Sequence, residues 1–339
     1  MRTRKLGASG IEATVVGLGT WAIGGWMWGG TEENQALDAI RAALDAGVTL
    51  VDTAPVYGFG RSEEIVGKAI AGRRDKVVLA TKCGLIWHEK KGDFFFHGSE
   101  AGQAADGDSS PIPVYRYLRP ESIRLEVEQS LRRLRTDYID LLQTHWQEST
   151  TPVADTMAEL LKLKDEGKIR AIGVSNVTPA QLREYQAAGG VDSAQENFSM
   201  IDRQIEAELL PLCREQGVAV LAYSPLALGL LTGKIGPERR FSAGDLREGQ
   251  PRFSTAGLQR VHDLLAKFQP LEESRGVSTA QLVIAWTAAQ PGLTHVLCGC
   301  RTVAQAHENA AAGDLELSAA ELAEIDAALG DYLAAEQGE

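Results

Sequence analysis

The stretch Leu50-Val51-Asp52-Thr53-Ala54-Pro55-Val56-Tyr57 joins a short apolar run to a turn that carries titratable side chains. Two later stretches repeat this arrangement, Leu79-Ala80-Thr81-Lys82 and Leu142-Gln143-Thr144-His145. Such short apolar runs are typical of strands buried on both faces, as in a parallel sheet covered by helices. If the three runs are neighbouring parallel strands, their last residues meet at one edge of the sheet.

Five further apolar runs occur along the chain, and amphipathic segments with helix start and stop signals separate all eight. Thr31 is predicted to cap the first helix, which ends at Gly47. Pro120 stands where a first-turn proline is tolerated, and Ser318 with Glu321 forms a capping box. Eight alternations of strand and helix predict a parallel sheet closed into a (β/α)8 TIM barrel. The predicted strands cover residues 14–18, 49–53, 76–81, 138–144, 169–174, 193–196, 218–223 and 294–298.

Two long segments interrupt this alternation, residues 84–119 after the third strand and residues 226–277 after the seventh. Without them the chain is close to the roughly 250 residues typical of this barrel, so residues 1–339 are predicted to form a single domain. Long loops in compact domains are commonly lids or binding loops. For the first segment, a disordered surface insertion is the alternative.

Composition excludes several classes of function. The net charge of −12 argues against non-specific binding of nucleic acid. No run reaches the roughly 18 apolar residues of a membrane span, and the N-terminal residues lack the apolar core of a signal peptide. Four cysteines in 339 residues make no disulfide framework. Cys298 and Cys300 lack a second ligand pair, so no metal site is predicted and a reducing cytoplasmic setting is expected.

Barrel enzymes assemble their active sites at the carboxyl ends of the strands. Three successive strands are predicted to deliver Asp52, Lys82 and His145 to that rim, with Tyr57 on the loop above. Alone, each has a simpler explanation: a buried ion pair for Asp52 and Lys82, a packed loop aromatic for Tyr57, and a core histidine for His145. Their convergence favours one reaction.

That reaction is proton donation to a carbonyl oxygen. A lysine ammonium favours the phenolate and lowers the tyrosine pKa from about 10. The aspartate offsets the cost of burying the ammonium, and the histidine can orient the carbonyl. No side chain supplies a hydride, so a redox cofactor is required.

Asp52, Tyr57, Lys82 and His145 resemble the catalytic tetrad of the aldo-keto reductase superfamily. Flanking motifs are similar too, and the likeness to its bacterial sugar- and methylglyoxal-type reductases extends over nearly the whole chain. It implies NAD(P)H-dependent interconversion of an aldehyde or ketone and an alcohol, with Tyr57 as general acid and base, and an N-terminal β-hairpin. The motifs are Gly17-Leu18-Gly19-Thr20-Trp21, Ser62-Glu63, Gly173-Val174-Ser175-Asn176, Tyr223-Ser224-Pro225-Leu226 and Leu231-Thr232-Gly233-Lys234.

The resemblance also implies where a cofactor binds. Arg301 is the one cation at the start of the helix after strand eight, which favours NADP(H), with NAD(H) possible. The alternative is that Arg301 only caps the strand or pairs with Glu308. Cys300 departs from the alanine or serine that related sequences often carry. The implied cofactor-binding residues are Ser175, Asn176, Gln195, Tyr223, Ser224, Pro225, Leu226, Gly229, Lys234, Gly299, Arg301, Gln305, Glu308 and Asn309.

The substrate is predicted only as a small carbonyl compound or sugar, and the oligomeric state stays open. Three other classes remain as alternatives. A Rossmann enzyme is suggested by residues 17–22, which fit a dinucleotide fingerprint. A barrel glycosidase would need Glu196 as a second carboxylate beside Asp52. A regulatory subunit of the same fold would hold nucleotide with little turnover. The predicted substrate-pocket residues are Trp21, Trp87, His88 and Trp146.

Overall fold

The computed structural model describes residues 1–25, 27–98, 111–241 and 245–337. The strands in these ranges are β1 (Thr3–Lys5), β2 (Glu12–Thr14), β3 (Val16–Gly19), β4 (Leu50–Asp52), β5 (Val78–Cys83), β6 (Leu85–Ile86), β7 (Asp93–Gly98), β8 (Ile112–Arg116), β9 (Ile139–Thr144), β10 (Ile169–Ser175), β11 (Ser193–Asn197), β12 (Ala219–Tyr223) and β13 (Leu293–Gly299).

The α-helices in the same ranges are α1 (Glu33–Asp45), α2 (Arg61–Ala69), α3 (Pro120–Leu134), α4 (Val153–Asp165), α5 (Pro179–Ala187), α6 (Leu209–Gln216), α7 (Thr255–Ala266), α8 (Gln269–Arg275), α9 (Thr279–Ala289), α10 (Val303–Ala311) and α11 (Ala319–Gln337). None of these helices is long and apolar enough to cross a membrane.

Eight of the strands close into a parallel barrel in the order β10-β11-β12-β13-β3-β4-β5-β9, which confirms the predicted fold. The barrel register pairs Asp52 with Ala80 and Lys82 with Gln143 across neighbouring strands. The carboxyl ends of β4, β5 and β9 therefore lie side by side, as the sequence predicted.

The inside of the barrel changes from apolar to polar along its axis. Its lower part packs Leu50, Leu141 and Leu221 against Leu6 and Ile11, which come from the N-terminal hairpin of β1 and β2. This hairpin confirms the expectation and covers the amino ends of the strands. The upper part holds the buried polar side chains of the rim. The predicted site residues thus lie at the carboxyl ends.

Helix capping follows the sequence signals with one exception. Pro120 is the first residue of α3, and Ser318 and Glu321 exchange the two hydrogen bonds of a capping box. The prediction for Thr31 is wrong. The carboxylate of Glu32 reaches the free amides at the start of α1, whereas the hydroxyl of Thr31 donates to the carbonyl of Ala22.

Both long insertions contain regular structure. In the described part of the first, β6, β8 and β7 form an antiparallel sheet, so the alternative of a disordered insertion is wrong there. Residues 99–110 lie outside the described residues. The second insertion contains α7 and α8. Leu258, Val261 and Leu265 are buried at helical spacing behind the capping hydroxyl of Ser254, a signal that its glycines and arginines obscured.

Candidate active site

The four titratable residues predicted at the rim come together there. Lys82 Nζ lies 2.7 Å from Asp52 Oδ2, 2.9 Å from the carbonyl oxygen of Thr53 and 3.2 Å from Tyr57 Oη. An ammonium group has three hydrogens, so all its donors are satisfied. The ring of His145 stands edge-on to that of Tyr57, with 5.8 Å between centroids. A single ammonium therefore links the carboxylate to the phenol.

Asp52 is 3% exposed, and each of its oxygens has a partner. Oδ2 accepts from Lys82, while Oδ1 accepts from Gln143 Nε2 at 3.1 Å and from Gln195 Nε2 at 2.8 Å. A buried carboxylate is tolerated only when it is paired and hydrogen-bonded in this way. Gln143 was not among the predicted site residues.

The loop that carries Tyr57 is fixed by close backbone contacts. A Cβ atom added to Gly24 would lie 2.6 Å from the carbonyl carbon of Tyr57. Gly58 has φ of +66°, and a Cβ atom there would lie 2.2 Å from the carbonyl oxygen of Gly24. Only glycine allows these two segments to approach so closely. The contact holds the phenol above the barrel mouth.

The direction in which the pKa of the phenol shifts differs from the expectation. Burial raises the pKa of Tyr57 above its usual value, and the nearby Lys82 ammonium opposes this without reversing it. Burial would also lower the pKa of Lys82, but Asp52 and Tyr57 leave it raised. The expected lowering of the tyrosine pKa was wrong because it neglected the cost of desolvating a phenolate. The phenol stays protonated and the amine stays charged near neutral pH.

The imidazole of His145 is neutral. Burial, and then the charge of Lys82, hold its pKa well below the usual range. A neutral imidazole has one donor and one acceptor nitrogen, so it can hydrogen-bond a polar ligand without adding a second cation.

These groups open into a cavity of about 670 Å³ at the carboxyl ends of the strands. Trp21 and Trp146 line it, as predicted for a substrate pocket. Trp87 and His88 do not, because Trp87 packs against Phe59 and His88 is exposed. The residues predicted to bind a cofactor all line the cavity: Ser175, Asn176, Gln195, Tyr223, Ser224, Pro225, Leu226, Gly229, Lys234, Gly299, Arg301, Gln305, Glu308 and Asn309.

Near Tyr57, the predicted polar groups already bond to one another. Asn176 Nδ2 donates to Ser175 Oγ and to the carbonyl of His145, both at 3.0 Å. Tyr223 Oη donates to Asn176 Oδ1 at 2.8 Å, and Ser175 Oγ donates to the carbonyl of Gln195. Asn176 has φ of +57°, so this network holds it in a left-handed conformation.

At the far end of the cavity, Arg301 donates to the carbonyl oxygens of Trp28 at 3.0 Å and Gly30 at 2.7 Å. It does not pair with Glu308, whose carboxylate lies 2.5 Å from Lys234 Nζ. The alternative in which Arg301 pairs with Glu308 is therefore wrong.

Further residues line the cavity, and of these Phe95 and Arg247 were missed. The inserted sheet contributes Phe95, which packs on Trp146 at 5.1 Å between centroids. Trp28 stands edge-on to Trp21 at 5.5 Å, and the Arg247 guanidinium lies 5.4 Å from the Trp28 ring centroid. Three consecutive phenylalanines, 94–96, in a segment otherwise rich in glycine were the available signal for the sheet.

Two of the alternative classes fail on this geometry. Residues 17–22 leave β3 of a closed barrel and enter a short 3₁₀-helix, so the Rossmann interpretation is wrong. Glu196 does not line the cavity. Its carboxylate accepts from the backbone N–H of Val177, and it cannot face Asp52 across a glycosidic bond.

A closed parallel barrel whose rim joins a tyrosine, a lysine, an aspartate and a histidine over one large cavity defines a class of barrel oxidoreductase. Residues 15–329 match the model of the Aldo/keto reductase family, and the chain belongs to that family.

Its relatives fit this assignment. The chain is 43% identical over 327 residues to the NADH-specific methylglyoxal reductase of Escherichia coli strain K12, covering 95% of this chain and 96% of that protein. The structure of a glycerol dehydrogenase from Gluconobacter oxydans superposes with a TM-score of 0.85 at 37% identity, covering 98% of this chain and 96% of that one. An aldo/keto reductase from Klebsiella pneumoniae in complex with NADP and acetate gives 0.68 at 30% identity, covering 96% and 95%.

Proposed function

We propose that this protein reduces small aldehydes or ketones with NAD(P)H and that Tyr57 is the general acid. The observation that supports this most strongly is the set of three hydrogen bonds that Lys82 Nζ donates, one of them to Tyr57. Lys82 Nζ donates to Tyr57 Oη, so the phenol accepts one hydrogen bond and its own proton stays available to a ligand in the cavity. A protonated phenol near neutral pH is the state that a proton donor requires.

In this proposal each member of the tetrad has one role. Tyr57 donates its proton to the oxygen of the substrate carbonyl, and the phenolate that remains keeps the hydrogen bond from Lys82. Asp52 holds the ammonium in place. His145, neutral and edge-on to the phenol, orients the carbonyl oxygen. Proton donation of this kind typically contributes roughly 10²–10⁴-fold to the rate.

A bound reduced nicotinamide supplies the hydride. The residues present fit such a group, because Gln195 Oε1 accepts no hydrogen bond from the described part of the chain and Gln195 lines the cavity. Tyr223 offers an aromatic face, and in the turn that follows it Ser224, Ala227, Leu228 and Gly229 have positive φ. Gly299, Gln305 and Asn309 would hold the adenosine end.

NADPH is the favoured cofactor and NADH is also accepted. The partners of Arg301 are neutral backbone carbonyls, which a phosphate dianion can replace with a gain in charge pairing. Lys234 is less available because Glu308 already neutralises it. The similar proteins include both an NADH-specific enzyme and a structure with NADP. A cytoplasmic location, with no nucleic-acid or membrane partner, stays a prediction.

The test is Tyr57→Phe. Steady-state oxidation of NADPH with a small aldehyde such as methylglyoxal should fall by about 10²-fold or more. The Kd for NADPH, measured by quenching of tryptophan fluorescence, should change less than about twofold, because the ring is kept. Tyr138→Phe is the matched control, since its ring packs under Arg74 far from the cavity. A wild-type protein that binds NADPH but oxidises none with a broad panel of carbonyls would instead be a regulatory subunit.

A further inference from the structure

Besides Gln195, a second buried amide lies inside the barrel, next to the polar groups of the rim. Gln143 is on β9 beside Lys82 and is completely buried. Its neighbour on the other side is Gly173 of β10, and a Cβ atom there would lie 2.8 Å from Gln143 Cγ. The lack of a side chain at Gly173 therefore leaves room for the side chain of Gln143 on the neighbouring strand. The amide has to be satisfied by what surrounds it.

The orientation of both buried amides follows from Asp52. A carboxylate only accepts hydrogen bonds, so the amide groups that face it must present NH₂. Gln143 Nε2 and Gln195 Nε2 both approach Asp52 Oδ1, at 3.1 and 2.8 Å. The carbonyl oxygen of Gln143 then points to Gln195, whose Nε2 donates to it at 3.1 Å.

The Gln195 amide has one polar atom without a partner among the described residues. Both hydrogens of Gln195 Nε2 are used, one by Asp52 and one by Gln143. Gln195 Oε1 has no donor among the described residues, and Gln195 lines the cavity beside Tyr57. The side chain can therefore offer a ligand only an acceptor at this position.

We propose that Gln143 is a positioning residue: it receives the second amide hydrogen of Gln195 and so fixes Gln195 Oε1 as an acceptor for a primary carboxamide N–H. This rests on the proposed function, in which the carboxamide is that of nicotinamide. Without Gln143, the Gln195 amide keeps only its bond to Asp52 and can turn away. The same hydrogen bonds join the carboxamide subsite to the carboxylate that anchors Lys82.

The experiment compares three dinucleotides by affinity, without turnover. NADP⁺ and its thionicotinamide analogue both carry an NH₂ group, whereas the 3-acetylpyridine analogue carries a methyl group in its place. The wild-type protein should bind the acetylpyridine analogue about five- to tenfold more weakly than the other two, as for the loss of one hydrogen bond. In Gln143→Met, which keeps the length but offers no donor and only a weak acceptor, this discrimination should fall to about twofold or less.

Gln147→Met is the matched control. Gln147 is also a buried amide, but it bonds to Thr144, Tyr185 and the carbonyl of Ser175 and not to Gln195. Its loss should lower stability and leave the discrimination intact. Undiminished discrimination in Gln143→Met, or none in the wild type, overturns the proposal. Absence of any dinucleotide binding by the wild type overturns the proposed function instead.

A second measurement does not depend on a variant folding. A neutron crystal structure of the wild-type protein shows both deuterium atoms of the Gln195 amide, and they should point to Asp52 and Gln143. An amide turned the other way, with Oε1 toward Asp52, also overturns the proposal.

Discussion

The two ends of the cavity satisfy their polar groups in different ways. At the inner end, Lys82 and Asp52 are 1% and 3% exposed, and their hydrogen bonds are saturated by the fold. At the outer end, the side chain of Lys234 is 58% exposed and pairs with Glu308. Among the described residues, the guanidinium of Arg301 there donates only to backbone carbonyls.

Because of this difference, we expect the two ends to contribute differently to stability, chemistry and ligand affinity. Inner groups are oriented before any ligand arrives, because folding itself buries and orders these charged groups. Their loss should therefore affect both stability and chemistry. In the proposed function, outer groups exchange their present partners for those of the cofactor, so their loss should affect affinity alone.

Among the variants, Lys82→Met at the inner end should have the largest effect on stability and activity. Removing one partner of a buried ion pair leaves Asp52 uncompensated, which costs about 3–5 kcal/mol of unfolding free energy. Carbonyl reduction should also fall by roughly 10²-fold or more, because Tyr57 loses the cation that stabilises its phenolate. Urea unfolding and steady-state rates measure the two effects. The double variant with Asp52→Asn should regain stability but not activity. If Lys82→Met alone were as stable as the wild type, Lys82 would not be compensating the buried charge of Asp52.

The inner end was largely predictable from sequence. Asp52, Lys82 and His145 each end an apolar run, and strand alternation with barrel closure brings such ends to one rim. The direction of the Tyr57 pKa was not predictable, because it depends on how completely distant segments bury the ring. Gln143 escaped notice since it continues an apolar run, and only the barrel register places it against Asp52.

The inserted segments were harder to predict. Barrel periodicity says nothing about β6 to β8, because a small antiparallel sheet outside the barrel follows its own pairing. Its Phe95 reaches the cavity through tertiary contacts that no local pattern encodes. At the outer end the residues were predictable but their partners were not. Nothing near Arg301 in the sequence points to the carbonyl of Trp28.

Glu196→Gln tests a buried carboxyl that has no cation partner in the described part of the chain. Burial raises the pKa of Glu196 from an ordinary value of 4.5 to about 8. Between those values the unfolded chain has released the proton and the folded protein has kept it, so stability falls as pH rises. The glutamine variant should lose part of this decline and gain about 2 kcal/mol over wild type at pH 8 relative to pH 4.5, within the limit of 1.36 kcal/mol per pKa unit.

Urea unfolding of both proteins at the two pH values measures this difference. Glu126→Gln is the matched comparison, because burial also raises the pKa of Glu126 to about 8, and its carboxyl accepts from the backbone N–H of Gly84. Each variant should remove its own share of the pH dependence. Equal stability differences at both pH values would contradict the assignment.

Arg301→Gln should weaken the outer end without touching the inner one. The variant removes the phosphate contact proposed for Arg301, so the Kd for NADPH should rise by about tenfold, while the Kd for NADH changes little. The unfolding free energy should stay within about 1 kcal/mol, because only two hydrogen bonds to backbone are lost. Calorimetric titration with both nucleotides decides this. Equal weakening of both would make Arg301 a brace for the segment around Trp28 instead of a phosphate ligand.

Glu308→Gln should have the smallest effect and the opposite sign. An exposed ion pair contributes about 0.2–1 kcal/mol, so breaking the bond to Lys234 costs little stability. It frees an ammonium at the phosphate end, and NADPH should bind about two- to threefold more tightly at low salt. At about 1 M salt the Debye length shortens to about 3 Å and the gain should vanish. A gain that persists at high salt, or a loss of affinity, would show that Glu308 itself contacts the nucleotide, and the outer end would then share the fixed geometry of the inner one.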